Sequence, residues 1–381
     1  MGLLDFLKKI EPDKKSSPFL HTLYDGFFTF AYTPDTVTKG GVHVKDGMDL
    51  KRTMIHVVIA LQLCYVFGTF NIGHQHYLAL GEYTGYMDGF WWKILYGLGK
   101  IIPIFIVSNV VGLGVEFYYA AKKGHAIEEG YLVSGALIPL IMPPDIPMWI
   151  LAMSIIFAVV IGKEAFGGTG MNIWNIAMLS RAFIFFAYPT TISGDTCWVA
   201  GVDGYSGATP LALAASGGWD AVTAVFTESQ MWWGAIPGSI GESSKPLIII
   251  GALFLIATKI ASWRIMLGMV LGAAGTAWLM NVGAAGTDFL FLQVPWQYQF
   301  YMGSFFFAMA FMATDPVTAS STNKGKWIYG IFIGFFGMII RVMNPAYPEG
   351  WMLAILLMNT FAPLIDHYVL EANISKRLKR A

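Results

Sequence analysis

The sequence predicts an all-α integral membrane protein with about ten transmembrane helices in two inverted five-helix repeats, some of the helices broken. Three observations predict it. Only 13% of the 381 residues are charged and 56% are hydrophobic, whereas soluble domains carry roughly 25% charge. So few charges leave a soluble surface uncovered, and lipid covers the remainder. Apolar runs recur along the chain at helical length. Lysine and arginine collect on alternate connections between those runs.

The apolar runs lie at about 54–71, 98–119, 129–143, 146–161, 174–189, 246–258, 262–281, 299–313, 327–343 and 351–368. A hydrocarbon core about 30 Å thick takes ~20 helical residues, and several runs are shorter. Pro139, Pro143, Pro144 and Pro147 interrupt the third and fourth, and Asp315-Pro316 closes the eighth. Interrupted helices at membrane depth must line protein or a cavity, because lipid offers their backbone no partner. With the N-terminus inside and the runs alternating, 19 of the 24 Lys and Arg fall on inner segments. Lys93, Lys100, Arg181, Lys245 and Arg341 are left over. The bias follows the positive-inside rule and puts both termini on the cytoplasmic side.

The chain accordingly divides into a basic cytoplasmic segment (1–53), a first five-helix half (54–189), an outer loop (190–245), a second half (246–368) and a basic tail (369–381). An odd number of spans per half reverses the second half relative to the first. The proline breaks fall at matching places, the pattern of an inverted repeat with its working site at the repeat interface. The first ten residues, with Leu3, Leu4, Phe6, Leu7 and Ile10 apolar, read as a short interfacial helix and not as a signal peptide, since no small-residue cleavage site follows. The abundant Phe, Tyr and Trp suit interface belts and crowded helix packing.

Several functions are excluded. A net charge of zero gives nucleic acid no electrostatic footing. Two cysteines, Cys64 and Cys197, are too few for an iron–sulfur cluster, which takes about four. His74, His76 and His125 are spread over loop ends and read as interface histidines, not as a metal cluster. Gly167-Gly168-Thr169-Gly170 is glycine-rich, but no strand precedes it, so a dinucleotide fold is excluded. No NADH, FAD or iron–sulfur binding motif is recognisable in the sequence.

The outer loop contains Asp203-Gly204-Tyr205-Ser206-Gly207-Ala208-Thr209. Taken alone this is a Gly/Ser surface turn, yet its small residues also let a bulky group approach the backbone and its threonine offers a hydroxyl for covalent attachment. Ser206-Gly207-Ala208-Thr209 after an acid resembles the flavin-attachment motif of the membrane subunits of sodium-translocating NADH:quinone reductases and Rnf complexes. The resemblance extends over nearly the whole chain. It takes in Lys163-Glu164-Ala165-Phe166-Gly167-Gly168, Arg181-Ala182-Phe183, Pro237-Gly238-Ser239, Met312-Ala313-Thr314-Asp315-Pro316-Val317, Asn344-Pro345-Ala346-Tyr347-Pro348-Glu349-Gly350 and Phe361-Ala362-Pro363. The long basic N-terminal segment favours the sodium-pump type over the shorter RnfD type.

The resemblance implies a flavoprotein subunit with FMN joined through its phosphate to Thr209 by a dedicated flavin transferase, the motif residues Asp203, Ser206, Gly207 and Ala208 surrounding it. It implies a non-covalent riboflavin at Asn172 and Asn175, although Met171 stands where the family has Arg and Ile176 where it has Pro. It implies electron transport from NADH to quinone (ubiquinone) within a complex holding subunits A, C, D, E and F, coupled to outward Na⁺ transport. Acids beside apolar runs are costly and need a reason, and carboxylate oxygens suit a hard cation. By resemblance, Asp25, Glu116, Asp315 and Asp366 match acids of sodium uptake; Glu349 after Pro348 reads as an interfacial carboxylate. The competing readings are an Rnf-type subunit and a redox-free channel or transporter of the same fold.

Overall fold

The computed structural model describes residues 9–13, 17, 20, 21, 24, 26, 28, 40, 41, 50–123, 130–192, 194, 197–202, 207–284, 286–344 and 350–380. Asp25, His125, Asp203, Ser206, Glu349 and most of the expected N-terminal interfacial helix lie outside them.

The described residues are helical, with no strand among them. Labelled in chain order, α1 is Leu50–Ala79, α2 Phe90–Lys123, α3 Tyr131–Ile141, α4 Met148–Gly162 and α5 Ile176–Ala187. The connection that follows carries α6, Pro210–Val225. Then come α7 (Lys245–Ala257), α8 (Trp263–Gly283), a π segment (Phe305–Phe307 running into Ala308–Met312), α9 (Asn323–Met343) and α10 (Trp351–Leu378). Among the described residues six helices are long and apolar enough to cross a membrane; α3, α5 and α7 are shorter apolar helices. The chain is an all-helical integral membrane protein.

The apolar runs and the helices coincide closely, with one instructive difference. The first run ends near 71, whereas α1 continues to Ala79 through Asn71, His74, Gln75 and His76. These side chains are buried inside the protein. Asn71 donates to the Ile236 carbonyl at 3.0 Å. The His76 ring meets the Ala200 carbonyl at 2.7 Å and stacks on Tyr96. His74 stacks on Phe70 and bonds the Lys93 ammonium at 3.1 Å. The expectation of interface histidines is therefore corrected for His74 and His76: they are core residues holding α1 to α2 and to the long connection.

Residues 50–187 and 245–378 share part of a packing order, although α1 lies along α2 in the first and α7 has no comparable contact with α8 in the second. In the first, α2 lies on α3 and α4, α4 on α5, α1 on α3, and α3 on α5. In the second, α8 lies on the π segment and α9, α9 on α10, α7 on the π segment, and the π segment on α10. The two sets join where α1 meets α7 and α5 meets α10.

Close helix approach rests on small residues. In lipid there is no hydrophobic drive between helices, so backbones must come near enough for dispersion contacts. A methyl group on Gly272 of α8, or on Gly330 or Gly334 of α9, would run into the facing backbone at Ile331, Ile265 or Met269 respectively. Gly275, one turn from Gly272, faces open space.

Gly334→Leu is therefore expected to lower stability by about 1–3 kcal/mol or more through overpacking. Gly275→Leu, on the open side of α8, is expected to be tolerated. Thermal unfolding of the two purified variants checks this: equal losses would show that the α8–α9 contact is not set by Gly334.

Candidate functional site

The end of the bundle where α1 begins and α4 finishes holds a cleft with a cavity volume of about 120 Å³. Its walls come from both packing sets: Val133, Ser134 and Leu137 of α3, Leu255 of α7, Phe311 of the π segment, and the turns carrying Lys163, Asn172, Asn175 and Asp315. Most of that surface is apolar, with a few convergent polar groups.

The glycine run of the 163–175 turn is explained by backbone geometry. Gly167, Gly168 and Gly170 take φ values of 123°, 108° and 86°, a region L side chains rarely adopt. The run is a turn that delivers Asn172 and Asn175 to the cleft. Asn175 caps α5, its Oδ1 accepting from the Met178 N–H at 3.2 Å, as expected of an N-cap amide. Its Nδ2 donates to Asp315 Oδ2 at 3.1 Å, and Asp315 Oδ1 accepts from the Val317 N–H at 3.0 Å. One amide thus ends a helix in the first set and ties it to the turn after the π segment in the second. The Asn172 Nδ2 donates to the Trp174 carbonyl at 3.1 Å.

The two positions where the resemblance leads one to expect Arg and Pro are Met171 and Ile176. Ile176 is the first residue of α5, a position that proline favours because its N–H needs no intrahelical partner. Met171 is exposed and does not line the cleft.

Glu116 is brought to this site by a contact the linear sequence conceals. It is buried on α2 and ion-paired with Lys163, itself buried at the end of α4. Lys163 also lines the cleft. Asn172, Asn175, Asp315 and, through Lys163, Glu116 therefore belong to one region.

Asp366 sits apart, on α10. Its carboxylate accepts from Ser320 Oγ at 2.7 Å, Ser321 N at 2.7 Å, Thr322 N at 3.0 Å and Thr322 Oγ1 at 2.6 Å. Thr322 is the N-cap of α9, so Asp366 places negative charge at a helix N-terminus, where it is favoured.

Thr209 lies at the opposite end of the bundle, on the connection between α5 and α7. It is half-buried and is the N-cap of α6, its Oγ1 accepting from the Ala212 N–H at 3.2 Å. Gly207 beside it is buried and Pro210 opens the helix. The α6 region is anchored by Trp219 stacked on Tyr298 at 4.1 Å. The Tyr298 hydroxyl donates to Glu228 at 2.5 Å, and that bond to a carboxylate, with some desolvation, holds the phenol above its usual range.

Residues 37–375 match the NQR2, RnfD, RnfE family. The chain belongs to that family. It is 44% identical over its full length to 97% of a Chromohalobacter salexigens protein, and 45% identical, full length on both sides, to one from Ectopseudomonas mendocina. A Klebsiella pneumoniae protein is 44% identical, again with both chains fully covered. Each of these relatives is named as the B subunit of a Na(+)-translocating NADH-quinone reductase, one component of a redox-driven enzyme complex. Within this family member, Lys163 is the site residue that sequence reasoning passed over as part of a motif. Its partner is 47 positions away, and no local signal pairs them.

A carboxylate with four donors needs no cation to offset its burial. Asp366→Asn is expected to destabilise the start of α9 by about 1–3 kcal/mol, since bonds to a charged acceptor are lost. The check is assembled yield alongside a sodium titration of quinone reductase activity. A lowered yield with normal half-saturation assigns Asp366 to packing, and a shifted half-saturation at full yield assigns it to the ion path.

Proposed function

We propose that this chain is the membrane-embedded B subunit of a Na⁺-translocating NADH:quinone reductase. In this reading it carries covalent FMN on Thr209, holds riboflavin in the cleft, and functions only in complex with subunits A, C, D, E and F, passing electrons toward quinone. Flavins supply one- and two-electron chemistry, which the side chains of this chain lack. The full-length likeness to the three B subunits carries the reading, including residues before position 37 that the family match leaves out.

The geometry at Thr209 fits an attached phosphate. The hydroxyl stands at a helix N-terminus, where backbone N–H groups and the helix dipole favour an anion. A phosphoester on Oγ1 keeps its charge at that terminus, within reach of the N–H groups the hydroxyl now caps. Gly207 and Ala208 leave room beside it, and the motif would be presented to the outer compartment. The cleft fits a flat, largely apolar ring with polar edges: its walls are mainly aliphatic, and the amides of Asn172 and Asn175 offer hydrogen bonds. Two inverted halves, both termini cytoplasmic, in a bacterial inner membrane complete the reading; the partly shared packing order and the distribution of Lys and Arg support it. Sodium would approach through the carboxylates Glu116 and Asp315 near the cleft and Asp366, apart from it at the start of α9, with Asp25 on the N-terminal segment.

The decisive experiment separates attachment from capping. Thr209→Ala is expected to abolish in-gel flavin fluorescence and the FMN mass while costing about 1 kcal/mol from the lost cap. Thr209→Asn keeps a capping oxygen but has no hydroxyl to esterify, so it should restore stability without flavin, and Thr209→Ser should keep both. Fluorescence surviving in Thr209→Asn would refute attachment at this residue, whereas an unmodified chain without fluorescence would leave the redox-free transporter standing.

The cleft is tested separately. Asn172→Leu combined with Asn175→Ala should lower the non-covalent flavin released on denaturation, with the Thr209-linked flavin retained. Riboflavin content equal to that of the unmodified complex would remove these residues from the site.

A further inference from the structure

Two lysine–glutamate pairs tie α2 to the end of α4 beside the cleft. Glu116 and Lys123 stand seven residues apart on one face of α2, two turns or roughly 10 Å along the helix. Lys163 and Glu164, adjacent at the end of α4, face them. Lys123 pairs with Glu164 at 2.9 Å, its own side chain 36% exposed; Lys163 pairs with Glu116, both side chains 5% exposed. The pairs cross in opposite senses: going inward along α2 a lysine is met first and a carboxylate second, and along the α4 corner the order is reversed.

The inner pair has a property the outer one lacks. Lys163 lines the cleft that also contains Asp315 and Asn175, while Glu116 is not a lining residue and lies behind it. A buried carboxylate is costly without a cation, and Lys163 supplies one. A monovalent ion arriving from the cleft finds the carboxylate already occupied by an ammonium of the same charge. Exchange of one for the other leaves the buried charge unchanged, and the displaced ammonium moves into the cleft, where the Asp315 carboxylate lies.

We propose that Lys163 is a tethered competitor of Na⁺ for Glu116: sodium reaches that carboxylate only by displacing the lysine ammonium into the cleft. The lysine thereby occupies the Glu116 carboxylate while no sodium is bound and sets the affinity at which sodium is taken up. This rests on the reading that Glu116 takes part in sodium uptake. No bond is formed or broken and no proton moves; one cation replaces another.

Equilibrium binding of ²²Na⁺ to the purified complex tests both layers. Lys163→Met should tighten sodium binding at the Glu116-dependent site by about tenfold or more, because a buried carboxylate loses its internal cation. Glu116→Gln should abolish that site, and Lys163→Met combined with Glu116→Gln should show no gain. Lys163→Arg, with a firmer fork on the carboxylate, should weaken binding. If Glu116→Gln binds sodium as the unmodified complex does, the uptake reading itself is wrong. Should Glu116→Gln lose the site while Lys163→Met binds no more tightly, the competitor role is overturned and the reading survives. If Lys163→Met fails to assemble, Lys163→Arg decides: weaker binding supports the proposal and unchanged binding overturns it.

Discussion

Everything in this fold depends on how backbone groups are satisfied where a helix stops inside the membrane. At 11, 12 and 13 residues, α3, α5 and α7 are about 16–20 Å long, short of a hydrocarbon core about 30 Å thick. Their ends, and the π segment, leave carbonyls and N–H groups that lipid cannot partner. The protein meets this need with buried cations. Arg181 donates to the Ile141 carbonyl at 2.6 Å, at the last residue of α3. Arg341 donates to the carbonyls of Gln299 and Met302 before the π segment at 2.6 and 3.1 Å. Lys245 donates to the Ser243 carbonyl at 2.9 Å and Lys93 to that of Gly85 at 2.6 Å. A charged donor is worth about 1.5–3 kcal/mol per bond, against a desolvation cost of several kcal/mol per ion. Several bonds per cation are therefore needed. Arg181 adds Ser239 and Glu242 to its carbonyl, and Arg341 lies over the Trp351 ring at 4.9 Å.

The same four residues explain a gap in the sequence reading. Counting charges by side leaves Lys93, Lys100, Arg181, Lys245 and Arg341 as exceptions, and composition gives them no role. In the structure Lys100 forms a half-exposed pair with Asp145 at 2.5 Å, and the other four are buried carbonyl donors. The apolar runs and proline breaks were legible because hydrophobicity and backbone geometry are local properties. The partners of the leftover cations were not, since Arg181 reaches 40 positions to Ile141 and 61 to Glu242. For the same reason the polar turn of α1 read as the end of a span. Asn71 and His76 are polar because they serve buried carbonyls 165 and 124 positions away.

The candidate site was legible in part, along the same division. Asn172, Asn175 and Asp315 stand in recognisable local patterns, and the cleft brings them together. Asn175 spends one end of its amide on the α5 cap three residues on, a local bond, and the other on Asp315, 140 positions away, which follows only from the meeting of the two packing sets. Glu116 reads from sequence as a solitary acid ending a span; folding gives it a lysine. Asp366 reads as an acid in hydrocarbon needing a cation, and the structure gives it the N-terminus of α9 and two hydroxyls.

The two ends of the bundle are consequently unlike. At one, the cleft is lined by helix ends whose polar groups have partners yet leave space between them. At the other, the segment Ala235–Ser244 is wedged between α1, α3 and the π segment. Gly241 donates to the Leu140 carbonyl at 2.7 Å, and a methyl group on Gly241 would meet Leu140 and Phe307; one on Gly68 would strike the Ile240 backbone. The segment has no helical hydrogen bonds of its own, so these contacts and the Arg181–Glu242 pair hold it in place. The partners that complete the broken end of α3 are thus the ones that close the far side of the bundle. A passage between the two packing sets cannot open there without returning the Leu140 and Ile141 carbonyls to an unsatisfied state, which ties opening at that end to new partners for the same backbone groups.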